Sequence, residues 1–296
     1  MTYRTDLALE AFQHALSSKE KQLPGVEKTQ ENLSGFSFTR ITIASEEGAK
    51  RLGKPPGTYG TLDLSPNQLH ADGGFERGLA AIVHILHDML PLPADEPVLV
   101  AGLGNRSVTP DSLGPKVTDS LVVTRHLGQA EPELFGDLRP VAALSPGVLG
   151  ITGVETGEIL SGVLERVQPA ALIAIDALAA RRLSRLTRTI QFSDTGITPG
   201  SGVGNARFAL TPRSLGIPVL AIGVPTIVDG GNLAREIRQQ APDAHCEALT
   251  DLEQSVMVTT SQIDREMADL AKLLGFGLSL ALNPTFSRED LDLFLS

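Results

Sequence analysis

Residues 169–180 read PAALIAIDALAA, and whether they form a helix or a strand decides the fold. The run of apolar residues is short, continuous and opened by a proline, and it carries one acid, Asp176, directly after five apolar positions. That pattern predicts a strand buried on both faces, ending at Asp176. PVLVAGLGN (97–105), which runs into a glycine-rich turn, and GIPVLAIGVP (216–225) have the same character. Between them lie helical patterns over 113–126 and in VETGEILSGVLERV, opening near Glu155, with PVAALSPG (140–147) intervening. Buried strands alternating with helices predict an α/β fold, a mostly parallel central sheet flanked by helices.

Outward from this centre the pattern changes. FSFTRITIAS (36–45) and GTYGTLDLS (57–65) alternate as added β-strands do, and TRTIQFSD (187–194) is expected as an edge or hairpin strand. FERGLAAIVHILHDMLP predicts a helix over 75–90, and the tail SQIDREMADLAKLLGFGLSLALNP a long amphipathic helix stopped at Pro284. Residues 1–34 read as helical and polar, with KTQENLSG (28–35) as a solvated loop. No internal repeat and no Pro-, Gly- or Ser-rich linker divides the chain, so one domain is expected.

Composition narrows the function classes. The 296 residues are 42% hydrophobic and 20% charged, with no apolar run long enough to span a membrane and no grouped secretory signal at the amino terminus, so a cytoplasmic protein is expected. A formal charge of −10 argues against direct contact with nucleic acid phosphate. The one cysteine, Cys246, excludes a disulfide framework and a thiolate zinc site, and His84 and His87 have no third ligand nearby in sequence. No metal or cofactor is expected.

In a parallel sheet the carboxyl ends of strands line the crevice where ligands bind. Two acids fall there. Asp111 lies in GLGNRSVTPDSLGP, the loop leaving the first buried strand, and Asp176 sits at the end of the second. A carboxylate there is costly to bury unless it is paired or does chemistry, but either one also fits a helix N-cap. Two such groups across a crevice share a proton, which suits activation of water against a peptide bond. Other motifs fit less well. Gly102-Leu103-Gly104 lacks the third glycine of a dinucleotide fingerprint, Ser201 lacks the Gly-x-Ser-x-Gly frame, and Arg181, Arg182, Arg185 and Arg188 read as a solvated helix face or a receiver of acidic substrate side chains. Asp194-Thr195-Gly196 spells the pepsin triplet. A pepsin-like site needs two such loops in an all-β setting, so Asp194 reads as a structural acid binding backbone amides, with a supporting role at the cleft as the alternative.

AGLGNRSVTPDSLGPKV, ALSPGVLGITGVETGEI, AIDALAARRLSRLTRTIQFSDTGITPGSGVGNAR and LGIPVLAIGVPTIVD resemble, over most of the chain, the germination proteases of spore-forming Gram-positive bacteria. The resemblance implies an atypical aspartic endopeptidase of the forespore or spore core, generally a homotetramer, similar in fold to hydrogenase maturation proteases. It implies small acid-soluble spore proteins as substrates, and Asp111 and Asp176 as the catalytic pair, with Asp194, Glu155 and Asn105 as candidates for support. It also implies a zymogen that trims itself at a substrate-like site. RTDLALE supplies Thr5, Asp6, Leu7, Ala8 and Glu10 in the expected order, which predicts cleavage between Asp6 and Leu7, a propeptide of residues 1–6 and a peptidase domain of 7–296. Two other readings compete: a nickel-dependent maturation endopeptidase, which needs a histidine at the crevice, and a non-catalytic α/β module that holds an anion at a helix amino terminus.

Overall fold

The computed structural model describes residues 5–16, 23–64, 66–93, 95–201, 207–240 and 256–295, so Cys246 lies outside the described residues. Its strands are β1 (Val26–Leu33), β2 (Phe36–Ile43), β3 (Gly57–Asp63), β4 (Val98–Gly102), β5 (Val141–Leu144), β6 (Ala171–Ala180), β7 (Thr189–Ser193), β8 (Val219–Asp229) and β9 (Met257–Val258). They form one mixed sheet in the order β1-β2-β3-β7-β8-β6-β4-β5, with β9 against β8. The helices that bear on the argument are α1 (Ala8–Ala15), α2 (Glu46–Leu52), α3 (Gly74–Met89), α4 (Leu113–Asp119), α5 (Thr156–Val167) and α6 (Ile263–Leu282).

The three runs expected to be doubly buried are β4, β6 and β8, and with β5 they form the parallel ladder. Their side chains alternate between two cores. Val98, Val100, Ile173, Ile175, Leu220 and Ile222 pack on α3 and α6, while Leu99, Ala101, Leu172, Ala174 and Val219 pack with Leu160 of α5. Covering both faces explains why these strands are apolar throughout rather than alternating. Each fully buried Leu, Ile or Val contributes about 1.5–3 kcal/mol relative to exposure.

The other half of the sheet is antiparallel, and two sequence expectations change there. TRTIQFSD forms β7, but β7 is an interior strand between β3 and β8. Its polar positions are tolerated because they satisfy one another: the Thr61 hydroxyl donates to Gln191 Oε1 at 2.8 Å, and Gln191 Nε2 donates to Thr189 Oγ1 at 3.0 Å. KTQENLSG is no loop either. Residues 26–33 pair with β2 in unbroken register, and the two-residue turn Ser34-Gly35 has φ of 53° and 95°, the left-handed pair that matches hairpin twist. As the edge strand, β1 is exposed along nearly its whole length, so its composition resembles that of a loop. Among the described residues of 1–34, the helical reading holds for α1.

The helix expected over 113–126 stops at Asp119, and a second begins at Arg125. The break is made by α6: a Cβ on Gly275 would lie 2.4 Å from the Ser120 carbonyl oxygen, and Ser279 Oγ accepts the Val122 N–H at 3.0 Å. The chain leaves β4 toward β5 and leaves β6 toward β7 and β8, in the opposite direction across the sheet. The crevice beyond β4 and β6 is therefore the topological switch point, where α/β sheets bind ligands.

Candidate active site

Asp111 closes a short 3-10 turn, Thr109–Asp111, in the loop after β4. Its Oδ2 accepts the Asn105 N–H at 2.8 Å, which turns the carboxylate back over the loop instead of capping α4, whose N-cap is Ser112. Gly104 makes this possible: its φ is +105°, and a Cβ there would lie 2.1 Å from the Asp111 carbonyl oxygen. Asp176 does not end its strand. β6 runs on to Ala180 and is followed by a 3-10 turn, Leu183–Arg185, so no α-helix follows for Asp176 to cap and the four arginines do not share an α-helix face. Asp176 is 6% exposed, and its Oδ1 accepts the Ala177 N–H at 2.9 Å.

Both carboxyls are raised from the ordinary aspartate value, Asp176 well above it. Burial raises Asp111, offset in part by the Asn105 amide. Burial raises Asp176 further, the negative charge of Asp111 adds to it, and Asp6 contributes last. Two acids whose environments favour protonation unequally are the arrangement in which one holds a proton while the other is ionised. They line one cleft of about 980 Å³ together with Asp6, Lys54, Glu155, Thr195 and Ser201.

From Thr5 onward the amino-terminal segment lies in this cleft, against β6. Asp6 N–H donates to the Ala179 carbonyl at 3.0 Å, and the Ala179 N–H donates to Asp6 Oδ2 at 2.9 Å. Ser201 Oγ donates to Asp6 Oδ1 at 2.9 Å, and Lys54 Nζ donates to the Asp6 carbonyl at 2.7 Å. Burial pushes the Lys54 ammonium down, with the Asp6 charge opposing. Leu7, 1% exposed, packs on Ala180, Leu186 and Val228. Glu10, 3% exposed, receives the N–H groups of Arg181 at 2.7 Å and Arg182 at 3.1 Å, and the Thr5 hydroxyl at 2.5 Å. Sequence reasoning had no signal for Lys54, and it met Ser201 only as a rejected nucleophile. The arginine run does receive an acid, through backbone amides.

The remaining candidates are placed as follows. Asp194 Oδ1 accepts the Thr58 N–H at 2.8 Å and so ties β7 to β3, the structural use expected of the lone triplet. Glu155 is the N-cap of α5 in a capping box with Glu158, and pairs with Arg207 at 3.3 Å. Asn105 holds the loop of Asp111, its Oδ1 also accepting the Ser107 N–H at 3.0 Å. His84 and His87 lie on α3, where His87 Nε2 contacts the Ala281 carbonyl at 2.9 Å. Among the described residues no group of three or more His, Cys, Asp or Glu has the geometry of a metal site, and no helix is long and apolar enough to cross a membrane.

Residues 4–239 match the family model described as germination protease. The chain belongs to that family. Its relatives include the germination protease of Caldanaerobacter subterraneus subsp. tengcongensis, 43% identical over 99% of this chain and 98% of that one. That of Clostridium perfringens is 41% identical over 99% of both, and that of Priestia megaterium 36% identical over 97% of this chain and 95% of that one. Membership makes the chain a germination endopeptidase. Among solved structures, a [NiFe] hydrogenase maturation protease of Thermococcus kodakarensis aligns over 66% of this chain and 98% of its own, at 15% identity and a TM-score of 0.35. At that distance the likeness decides nothing, and the fold class rests on the sheet order above.

Proposed function

We propose that this germination protease cuts small acid-soluble spore proteins in the spore core, using water activated between Asp111 and Asp176, and that it is made as a precursor that cuts its own Asp6–Leu7 bond. The observation that carries the reading is the meeting of two raised carboxyls with the docked segment Thr5–Glu10 in one cleft. Asp176, the more strongly raised, holds the proton; Asp111 is the carboxylate. Water attacks the carbonyl carbon of the acidic residue, gives its proton to Asp111, and the carbonyl oxygen takes the Asp176 proton to form a tetrahedral diol. As the C–N bond breaks, the leaving nitrogen takes the proton from Asp111 and one diol hydroxyl returns its proton to Asp176. A carboxylic acid and an amine leave, and both aspartates regain their starting states. The family resemblance supports a homotetramer as the working form, with residues 7–296 as its peptidase domain.

The test replaces Asp111 and Asp176 separately by Asn. Intact mass should show the parent chain losing residues 1–6 and digesting a small acid-soluble spore protein, and each variant doing neither while keeping its circular dichroism spectrum. Cleavage by either folded variant at the parent rate would end the dyad reading.

A further inference from the structure

Successive residues of a strand point their amides to opposite sides, so on the side facing β4 the β6 strand offers the backbone of Ile175, Ala177 and Ala179, and then of Arg181 just past its end. β4 uses the first alone: Gly102, its last residue, pairs with Ile175, and the Leu103 N–H donates to the Ile175 carbonyl at 2.7 Å. Each of the next three amides donates to a carboxylate. Ala177 serves Asp176, Ala179 serves Asp6, and Arg181, joined by Arg182, serves Glu10.

We propose that this free side of β6 is a ruler for substrate peptides, with two carboxylate subsites set at fixed distances from the catalytic Asp176. The first, made by the Ala179 amide and the Ser201 hydroxyl, takes the acidic residue of the cut bond. The second, made by the Arg181 and Arg182 amides, takes a second acid four residues further on, and the pocket of Ala180, Leu186 and Val228 takes the apolar residue after the cut. The assignment rests on Asp6–Leu7 being the bond cut. Amides two residues apart along a strand stand roughly 6.6–6.8 Å apart, so the spacing of dyad and subsites is set by the backbone. Hydrogen bonds from N–H to an ionised carboxylate are about twice as strong as neutral ones, so the site prefers Asp and Glu to Asn and Gln. At the second subsite the donors to Glu10 are the backbone amides of Arg181 and Arg182, while at the first the Lys54 ammonium also stands close enough for the Asp6 charge to act on it. Before cleavage the chain's own Asp6 and Glu10 hold both places; the cut removes Asp6, whereas Leu7 and Glu10 stay on the converted enzyme and must give way when a substrate binds.

The experiment follows loss of residues 1–6 from the full-length chain by intact mass. It then uses the converted parent enzyme on peptides copying residues 1–16, so that the peptide outcomes do not depend on whether a mutant enzyme folds. With the parent peptide as reference, Glu10→Gln should lower kcat/KM on the order of ten- to hundredfold. A peptide with the glutamate moved to position 9 or 11 should be cut as poorly. The Ser201→Ala enzyme should lose much of its preference for Asp over Asn at position 6. Equal cleavage of the Glu, Gln and displaced-Glu peptides would overturn the ruler while leaving the dyad standing. An unchanged Asp-over-Asn preference in Ser201→Ala would remove Ser201 from the first subsite. If the parent chain is not cut at Asp6–Leu7, or Asp111→Asn still converts, the underlying reading fails and the ruler with it.

Discussion

Gly104→Ala tests whether the loop after β4 sets the position of Asp111. A Cβ at Gly104 would lie 2.1 Å from the Asp111 carbonyl oxygen, whereas a close C···O contact is about 3.3 Å, so residue 111 must retreat by about 1 Å. The backbone adds its own penalty, since φ there is +105° and an L-residue so placed costs about 1–3 kcal/mol. For a chain of this size that lowers Tm by several degrees, at about 2–4 °C per kcal/mol. Displacing a catalytic group by about 1 Å costs on the order of a hundredfold in rate. Gly216→Ala separates the two effects: Gly216 has φ of +74° with no atom within 4 Å of an added Cβ, so it carries the strain without moving Asp111. Urea melts should show both variants destabilised, and conversion assays should show only Gly104→Ala slowed about a hundredfold. A Gly104→Ala enzyme as active as Gly216→Ala would refute the claim that this contact positions Asp111.

Two further expectations concern stability. Burial first, and the Asp111 charge second, raise the Asp176 carboxyl in the folded state, so the folded chain keeps a proton that the unfolded chain releases near pH ~4. Stability then falls as pH rises from that unfolded value toward the folded one, and Asp176→Asn removes the fall. The margin by which Asp176→Asn is the more stable should grow from acid to neutral pH in urea melts, and a constant margin would count against a raised carboxyl. In the buried chain Thr61–Gln191–Thr189, Gln191→Ala strands two hydroxyls and should cost about 1–3 kcal/mol, seen as a lower urea midpoint. Adding Thr61→Val and Thr189→Val should recover part of that loss, which an unpaired hydroxyl predicts and a simple packing defect does not.

The three central strands of the parallel ladder were legible because burial on both faces leaves an unbroken apolar run, as in Ala171–Ile175 and Val98–Ala101. Asp176 was legible for the same reason, since a carboxylate in such a run stands out. The extent of β6 was less so: Ala177–Ala180 continue the strand past the acid, and alanines after an aspartate look equally like a turn into a helix.

The sequence by itself determined which residues would be apolar on which face, where the chain would turn on glycine, and which acids lie at the mouth of the sheet. Only the tertiary structure decided who stands beside whom: that the polar-alternating Thr189–Ser193 is interior, that Val26–Leu33 is a strand, and that Thr5–Glu10 docks on the free side of β6. The physical reason is that faces are read by side chains, which differ, whereas lateral neighbours are joined by backbone N–H and C=O groups, which are nearly the same at every residue. Asp6 meets Ala179 through such groups, across 173 positions of chain, and no local pattern in either segment records the meeting.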